Sequence, residues 1–171
     1  MKRLFLLIAA AIFVIVGLFV YRVYPRHVSL LLKGIEYQAG SPKHQVRKIT
    51  LQMNGTLHTS LFGKRTFDGT VTILGATVPN RDNGKSLTAA FNSGFGSLTY
   101  FNRQSFKYYT YGAMFTNNRF NEFTITEYNP NGSGWSGRNG LTISAPAHTR
   151  TQALQISNDL MVKFFDGRLL K

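Results

Sequence analysis

Residues 91–123, FNSGFGSLTYFNRQSFKYYTYGAMFTNNRFNEF, hold eleven aromatic residues in thirty-three. Phe, Tyr and β-branched residues favour a half-buried pleated surface. Breaks at Gly94-Phe95-Gly96, from Asn102 to Ser105 and from Thr116 to Arg119 divide the stretch into short segments, so it reads as an antiparallel meander. Phe-Asn recurs at 91–92, 101–102 and 120–121 with no fixed period, which places it at strand ends where aromatic packing meets turn chemistry. In residues 106–111 (FKYYTY), alternation puts Phe106 and Tyr108 on one face and Lys107, Tyr109 and Tyr111 on the other. The second face is a candidate ligand-binding face, because tyrosine rings interleaved with a lysine can stack on sugar rings or pair with phosphate. The alternative is that a helix and a second sheet cover both faces.

Toward the N-terminus the period stays at two. Residues 67–74 (FDGTVTIL) read as a strand with Val71 and Ile73 inward, after a turn at Gly63-Lys64-Arg65, and 79–85 (PNRDNGK) as an exposed turn. Ile49, Leu51 and Met53 alternate with Thr50 and Gln52, and Asn54-Gly55 then precedes Thr56 to Thr59. Asn-Gly between alternating runs predicts a tight hairpin there, because type I′ turns need positive φ at both central positions. Val28 to Leu32 reads as a first strand and Gly34 to His44 as a loop.

Toward the C-terminus, Phe123 to Tyr128 reads as a strand, 129–140 (NPNGSGWSGRNG) as turns, and Leu141 to Ser144 as a strand stopped by Pro146. The period then becomes helical: Ala153, Ile156, Leu160 and Phe164 fall three and four apart, with Thr149 and Gln152 as a capping box and Asp166-Gly167 as a stop. A helix over about 150–164 should lie across one face of the sheet. Gly132 to Gly137 spells G-x-G-x-x-G, but no βαβ unit surrounds it, so a glycine-rich loop displaying Trp135 is the reading. Trp135 either tucks back over the sheet or stands out as a ligand contact.

Leu4 to Val20 (LFLLIAAAIFVIVGLFV) is seventeen apolar residues, roughly 26 Å as a helix against the ~30 Å of a bilayer core. Lys2 and Arg3 precede it and no small-x-small cleavage site ends it, so an uncleaved signal-anchor is expected. Leu4, Phe5, Ile8, Phe13 and Val20 would face lipid, with Tyr21 and Tyr24 in the interfacial belt. This gives an anchor and flank over 1–27, a single domain over 28–171, and a single-pass protein of the cell membrane with that domain outside the cytoplasm. The expected class is therefore α+β: one transmembrane helix, then a mainly antiparallel sheet with a C-terminal amphipathic helix packed on it.

From residue 33 onward sixteen Lys and Arg face seven acids, leaving +9. Such a surplus attracts polyanions by summed potential, and anionic envelope polymers or lipid headgroups suit an outside domain, whereas nucleic acid does not. The other reading is that scattered cations keep a β-rich domain soluble. His27, His44, His58 and His148 are dispersed and there is no cysteine, so no metal or cofactor is expected. Among the acids only Glu122 and Glu127 lie within five positions of one another, and they read as opposite faces of one strand.

The apolar N-terminal run, Ser60-Leu61-Phe62-Gly63-Lys64, Thr66 to Ile73, and Ile143-Ser144-Ala145-Pro146-Ala147 before a helix led by Arg150 resemble small uncharacterised membrane-anchored proteins of Gram-positive bacteria. The resemblance implies an extracytoplasmic domain of unknown function and carries no site with it. The expected function is a non-enzymatic binding or accessory module at the cell envelope, partnered by an anionic polymer or another membrane protein. The alternative is an envelope hydrolase or transferase whose site is assembled from dispersed residues.

Overall fold

Almost every alternating stretch of the sequence becomes a strand. A computed structural model describes residues 2–41, 46–60, 62, 65–76, 87–92, 94–102, 106–129, 134–165, 167 and 169–171, without the side chains of 2–9, 22 and 102. Among the described residues, eight strands follow a first helix α1 (Lys2–Val23): β1 (Arg26–Gln38), β2 (Arg47–Thr59), β3 (Arg65–Leu74), β4 (Leu87–Asn92), β5 (Phe95–Asn102), β6 (Lys107–Thr116), β7 (Phe123–Glu127) and β8 (Leu141–Ala145). Each pairs antiparallel with the next, and β8 returns to β1 through Ile35↔Ser144 to Gln38↔Leu141, which closes a barrel. The expected sheet with a helix on it is thus corrected to an eight-stranded antiparallel barrel with a C-terminal helix. Closure pairs the tail of β1 on both sides, whereas Arg26 to Leu32 pair with β2 alone.

The two ends of the barrel differ. Segments 39–46, 75–86, 103–106 and 128–140 join strands at one end, and 60–64, 93–94 and 117–122, shorter on average, at the other. The short-loop end is filled by phenylalanines. Phe67 packs on Phe91 and Phe120 with ring centroids 5.6 and 5.1 Å apart, and Phe120 meets Phe123 edge-on at 5.0 Å. Each such ring contributes about 1.5–3 kcal/mol by leaving water. Phe120 reaches the plug from the β6–β7 connection with φ at 57°, a left-handed conformation that side chains adopt only where packing holds them.

The hairpin expected at Asn54-Gly55 is absent, and β2 runs unbroken through both residues. Gly55 stands opposite Gly69 of β3. A Cβ on Gly55 would lie 2.4 Å from the Asp68 carbonyl oxygen and 2.7 Å from Phe67 Cζ, and one on Gly69 2.6 Å from the same ring atom. The paired glycines make room inside the barrel for the Phe67 ring; close approach, and not turn formation, is why Gly55 is glycine. The loop expected from Gly34 is likewise strand as far as Gln38. The expected turn at 79–85 lies outside the described residues.

The spanning segment is the largest correction. Among the described residues no helix is long and apolar enough to cross a membrane, a finding that does not bear on strand-built crossings. The expected single-pass membrane location falls with it. Leu4, Phe5 and Ile8 have side chains outside the described set, while Phe13, Val20, Tyr21 and Tyr24 are exposed. Arg26 lies over the Tyr21 ring at 5.1 Å.

At the other end of the chain, α2 (Arg150–Met161) runs into a 3₁₀ turn at Val162–Phe164. The Thr149 hydroxyl accepts from the Gln152 N–H, and Gln152 Oε1 accepts from the His148 N–H, so the expected cap residues do hold the start. The face that packs down is Ala153, Ser157 and Met161, with Ile156 and Leu160 at its margins. It covers the outer side of β1, β7 and β8, and the tail of those three strands is therefore buried on both faces.

Candidate functional site

Strand parity decides what each side of the β1–β7–β8 arc receives. Outward, under α2, Tyr37 Oη donates to Ser157 Oγ at 2.7 Å, Ser144 and Ser157 hydroxyls are 2.7 Å apart, Thr124 and Ser144 3.0 Å apart, and Ser157 Oγ lies 3.0 Å from the Ala153 carbonyl it bonds. Burial pushes the Tyr37 hydroxyl up to about 12 against the pull of the Ser157 hydrogen bond and of Arg150. Every member of this cluster has a partner.

Inward, the same strands end in acids. On β7, Phe123 and Ile125 face the core and Glu127 follows in the same parity; on β1, Glu36 lies between outward Ile35 and Tyr37. Glu36 and Glu127 are only 5% and 7% exposed, and Tyr111 of β6, 4% exposed, stands beside Glu127. Arg47 of β2, opposite Glu36 in register, reaches it at 3.5 Å with half its side chain in water. Tyr111 Oη and Glu127 Oε1 are buried without a hydrogen bond of good geometry, as are Thr116 Oγ1 and Arg150 Nε elsewhere among the described residues. A buried polar atom left so forfeits about 1–3 kcal/mol.

The electrostatics follow from that burial. Glu127 is pushed up to about 7, first by loss of water and then by the Glu36 carboxylate, with Tyr111 and Arg47 pulling the other way. Burial, then the charge of Glu127, drives the Tyr111 hydroxyl far above the ordinary tyrosine range. One layer nearer the long-loop end, Tyr109 stacks on Tyr100 of β5 at 5.4 Å and 18°. Three tyrosines and two carboxyls thus line the mouth of the barrel opposite the phenylalanine plug.

Sequence reading placed Tyr109 and Tyr111 on one face, and the structure turns that face into the barrel, with Tyr109 half-buried and Tyr111 buried. Lys107 is exposed at the start of β6, Phe106 and Tyr108 are exposed, and Phe101 packs on both. Trp135 does not join them. It is half-buried outside the barrel, where it donates from Nε1 to Thr142 Oγ1 at 3.2 Å and packs against Phe165.

Glu36 and Glu127 are far apart in sequence and come together only when the barrel closes through β8, so near-neighbour spacing carries no sign of the pair. Glu122, expected on the opposite face of one strand from Glu127, precedes β7 at the plugged end and accepts from Asn117 Nδ2 at 2.8 Å. Parity held the missing signal: an acid two places after Ile125 in an inward series is out of place unless it serves something. His27, His58 and His148 are exposed and apart, His44 lies outside the described residues, and no group of His, Asp and Glu among those described could hold a metal. Lys33, Lys48 and His148 do gather, around a surface cavity of about 390 Å³ where β1 and β2 meet the start of α2.

Compared with known proteins, the chain matches no family model, no curated protein and no solved structure.

Proposed function

We propose that this protein is a non-enzymatic binding module that takes a small ligand into the mouth of its barrel. Eight strands enclose a space just wide enough for side chains or one small molecule. Here phenylalanines fill one end, and the polar groups gather at the other. The observation that carries the reading is that two of the buried atoms without partners, Tyr111 Oη and Glu127 Oε1, lie together in the mouth, while the hydroxyls of Tyr37, Thr124, Ser144 and Ser157 bond one another. A ligand that supplied their hydrogen bonds would recover the stabilisation they lack.

The test titrates the isotope-labelled full chain with hexylamine, hexanol and hexanoate and follows amide resonances. Shifts gathered at Tyr100, Tyr109, Tyr111 and Glu127, with Phe67 and Phe120 unmoved, support the reading. No shift at the mouth with any of the three overturns it.

A second reading rests on Glu127 being pushed up to about 7 beside Glu36, which is what a general acid or base working near neutrality needs. It predicts that a molecule captured by the mouth is converted, where the binding module returns it unchanged. Mass spectrometry of the ligand after incubation separates the two.

A further inference from the structure

We infer that the ligand's polar head is a protonated amine, an organic ammonium carrying an apolar or aromatic body, an inference that rests on the binding reading above. Charge gives the first argument. The chain has seven acids against twenty Lys and Arg, yet two of those seven are buried together in the mouth. Glu36 has Arg47 at 3.5 Å, whereas Glu127 has no ion pair among the described residues, and Arg47 is the smallest influence on it. The mouth therefore carries two carboxyls and one cation, and a cationic head evens that count. An anionic head would add a third negative charge to a space already short of water.

Hydrogen-bond valence gives the second. Glu127 Oε1 offers only lone pairs when ionised, and Tyr111 Oη offers lone pairs and one proton. An ammonium brings three donors and no acceptor, so it can serve both oxygens at once, with charge-assisted bonds about twice as strong as neutral ones. Aromatic faces give the third. Tyr111 is buried at the cluster and the Tyr100–Tyr109 stack is half-buried one layer out. Ring faces attract cations electrostatically, most strongly where water is excluded, and the same rings cover an apolar body. The domain's overall +9 does not cancel this preference, because exposed charges more than about 8 Å away are screened at physiological salt.

Calorimetry on the full chain at pH 8 tests the class with hexylamine, hexanol, hexanoate and hexyltrimethylammonium. Hexylamine should bind at least tenfold tighter than hexanol, hexanoate should give no heat, and hexyltrimethylammonium, which keeps the charge but cannot donate, should bind more weakly than hexylamine. Glu127→Gln should weaken hexylamine at least tenfold and leave hexanol within about twofold. Hexanol binding as tightly as hexylamine, or hexanoate binding best, overturns the ammonium while the binding module stands. A Glu127→Gln chain that folds and still binds hexylamine at full strength does the same. Should that variant fail to fold, the four-ligand ranking on the native chain decides alone. Silence from all four ligands removes the binding reading itself.

Discussion

Two buried polar clusters share β1 and β7, and only one of them is complete. Residues of opposite parity on one strand are sent to opposite sides: Tyr37 goes under α2 and Glu36 into the barrel, Thr124 under α2 and Glu127 into the barrel. Beneath the helix, small hydroxyls sit within 2.7 to 3.3 Å of one another and can be donor and acceptor by turns, so four side chains close a network with no atom left over. In the mouth, the two carboxyls offer acceptors in excess, and Tyr111 and Arg47 leave the count unbalanced. A closed network fixes the helix on the barrel. An open one is a demand for something else, and the contrast is most informative where one substitution meets different fates in the two places.

The largest effect should come from charge. Glu127 moves from the usual 4.5 to about 7 on folding. A carboxyl that holds its proton more tightly in the folded state favours the fold fully below the unfolded pKa, and that contribution is lost as pH rises through the folded one. Native stability should thus fall by about 3 kcal/mol between pH 4.5 and pH 8 on account of this group. Glu127→Gln cannot titrate. The difference in urea-unfolding free energy between variant and native chain should therefore shift by about that amount toward the variant over the same window. A pH-independent difference would mean that Glu127 is better solvated than its 7% exposure indicates.

Under α2 the expected change is smaller and opposite in sign. Ser157→Ala removes the acceptor of the Tyr37 hydroxyl, the partner of Ser144, and a donor to the Ala153 carbonyl, and leaves buried oxygens unsatisfied. It should cost about 2 kcal/mol at every pH from 5 to 8, checked by the same unfolding measurement. A pH-dependent loss would show that the two clusters communicate across the strands that separate them.

How far the sequence carried these clusters depended on range. Alternation found the inner faces of β3 and the aromatic meander, and Thr149 and Gln152 marked the start of α2, because each is decided by residues a few positions apart. Asn54-Gly55 misled because the strongest short-range turn signal was overruled by a contact between strands, the Phe67 ring over Gly55 and Gly69. Closure of the barrel through Ile35↔Ser144 joins residues more than a hundred positions apart, and nothing local to either announces it. The mouth fared the same way. Tyr109 and Tyr111 were legible as one face, but Glu36 and Glu127 become a pair only when β1 and β7 are brought together. Leu4 to Val20 misled by composition: an apolar run suggests a crossing, yet among the described residues no helix is both long and apolar enough to make one.

The smallest effect separates the clusters most cleanly, because one phenolic oxygen is removed from each. Tyr37→Phe deletes a hydroxyl that donates at 2.7 Å to Ser157, and should cost about 1 kcal/mol, the usual net worth of a buried hydrogen bond. Tyr111→Phe deletes a hydroxyl without a hydrogen bond of good geometry, while the ring keeps its place in the core, so the loss should be near zero. Both rings stay buried and both changes remove one oxygen, so packing cancels in the comparison, and measured below pH 6, where Glu127 holds its proton, the presence of a partner is the main difference. Equal losses in the two variants would mean that Tyr111 already has a partner in the free protein, such as a trapped water. The mouth would then be as complete as the cluster beneath the helix, with no demand for a ligand to meet.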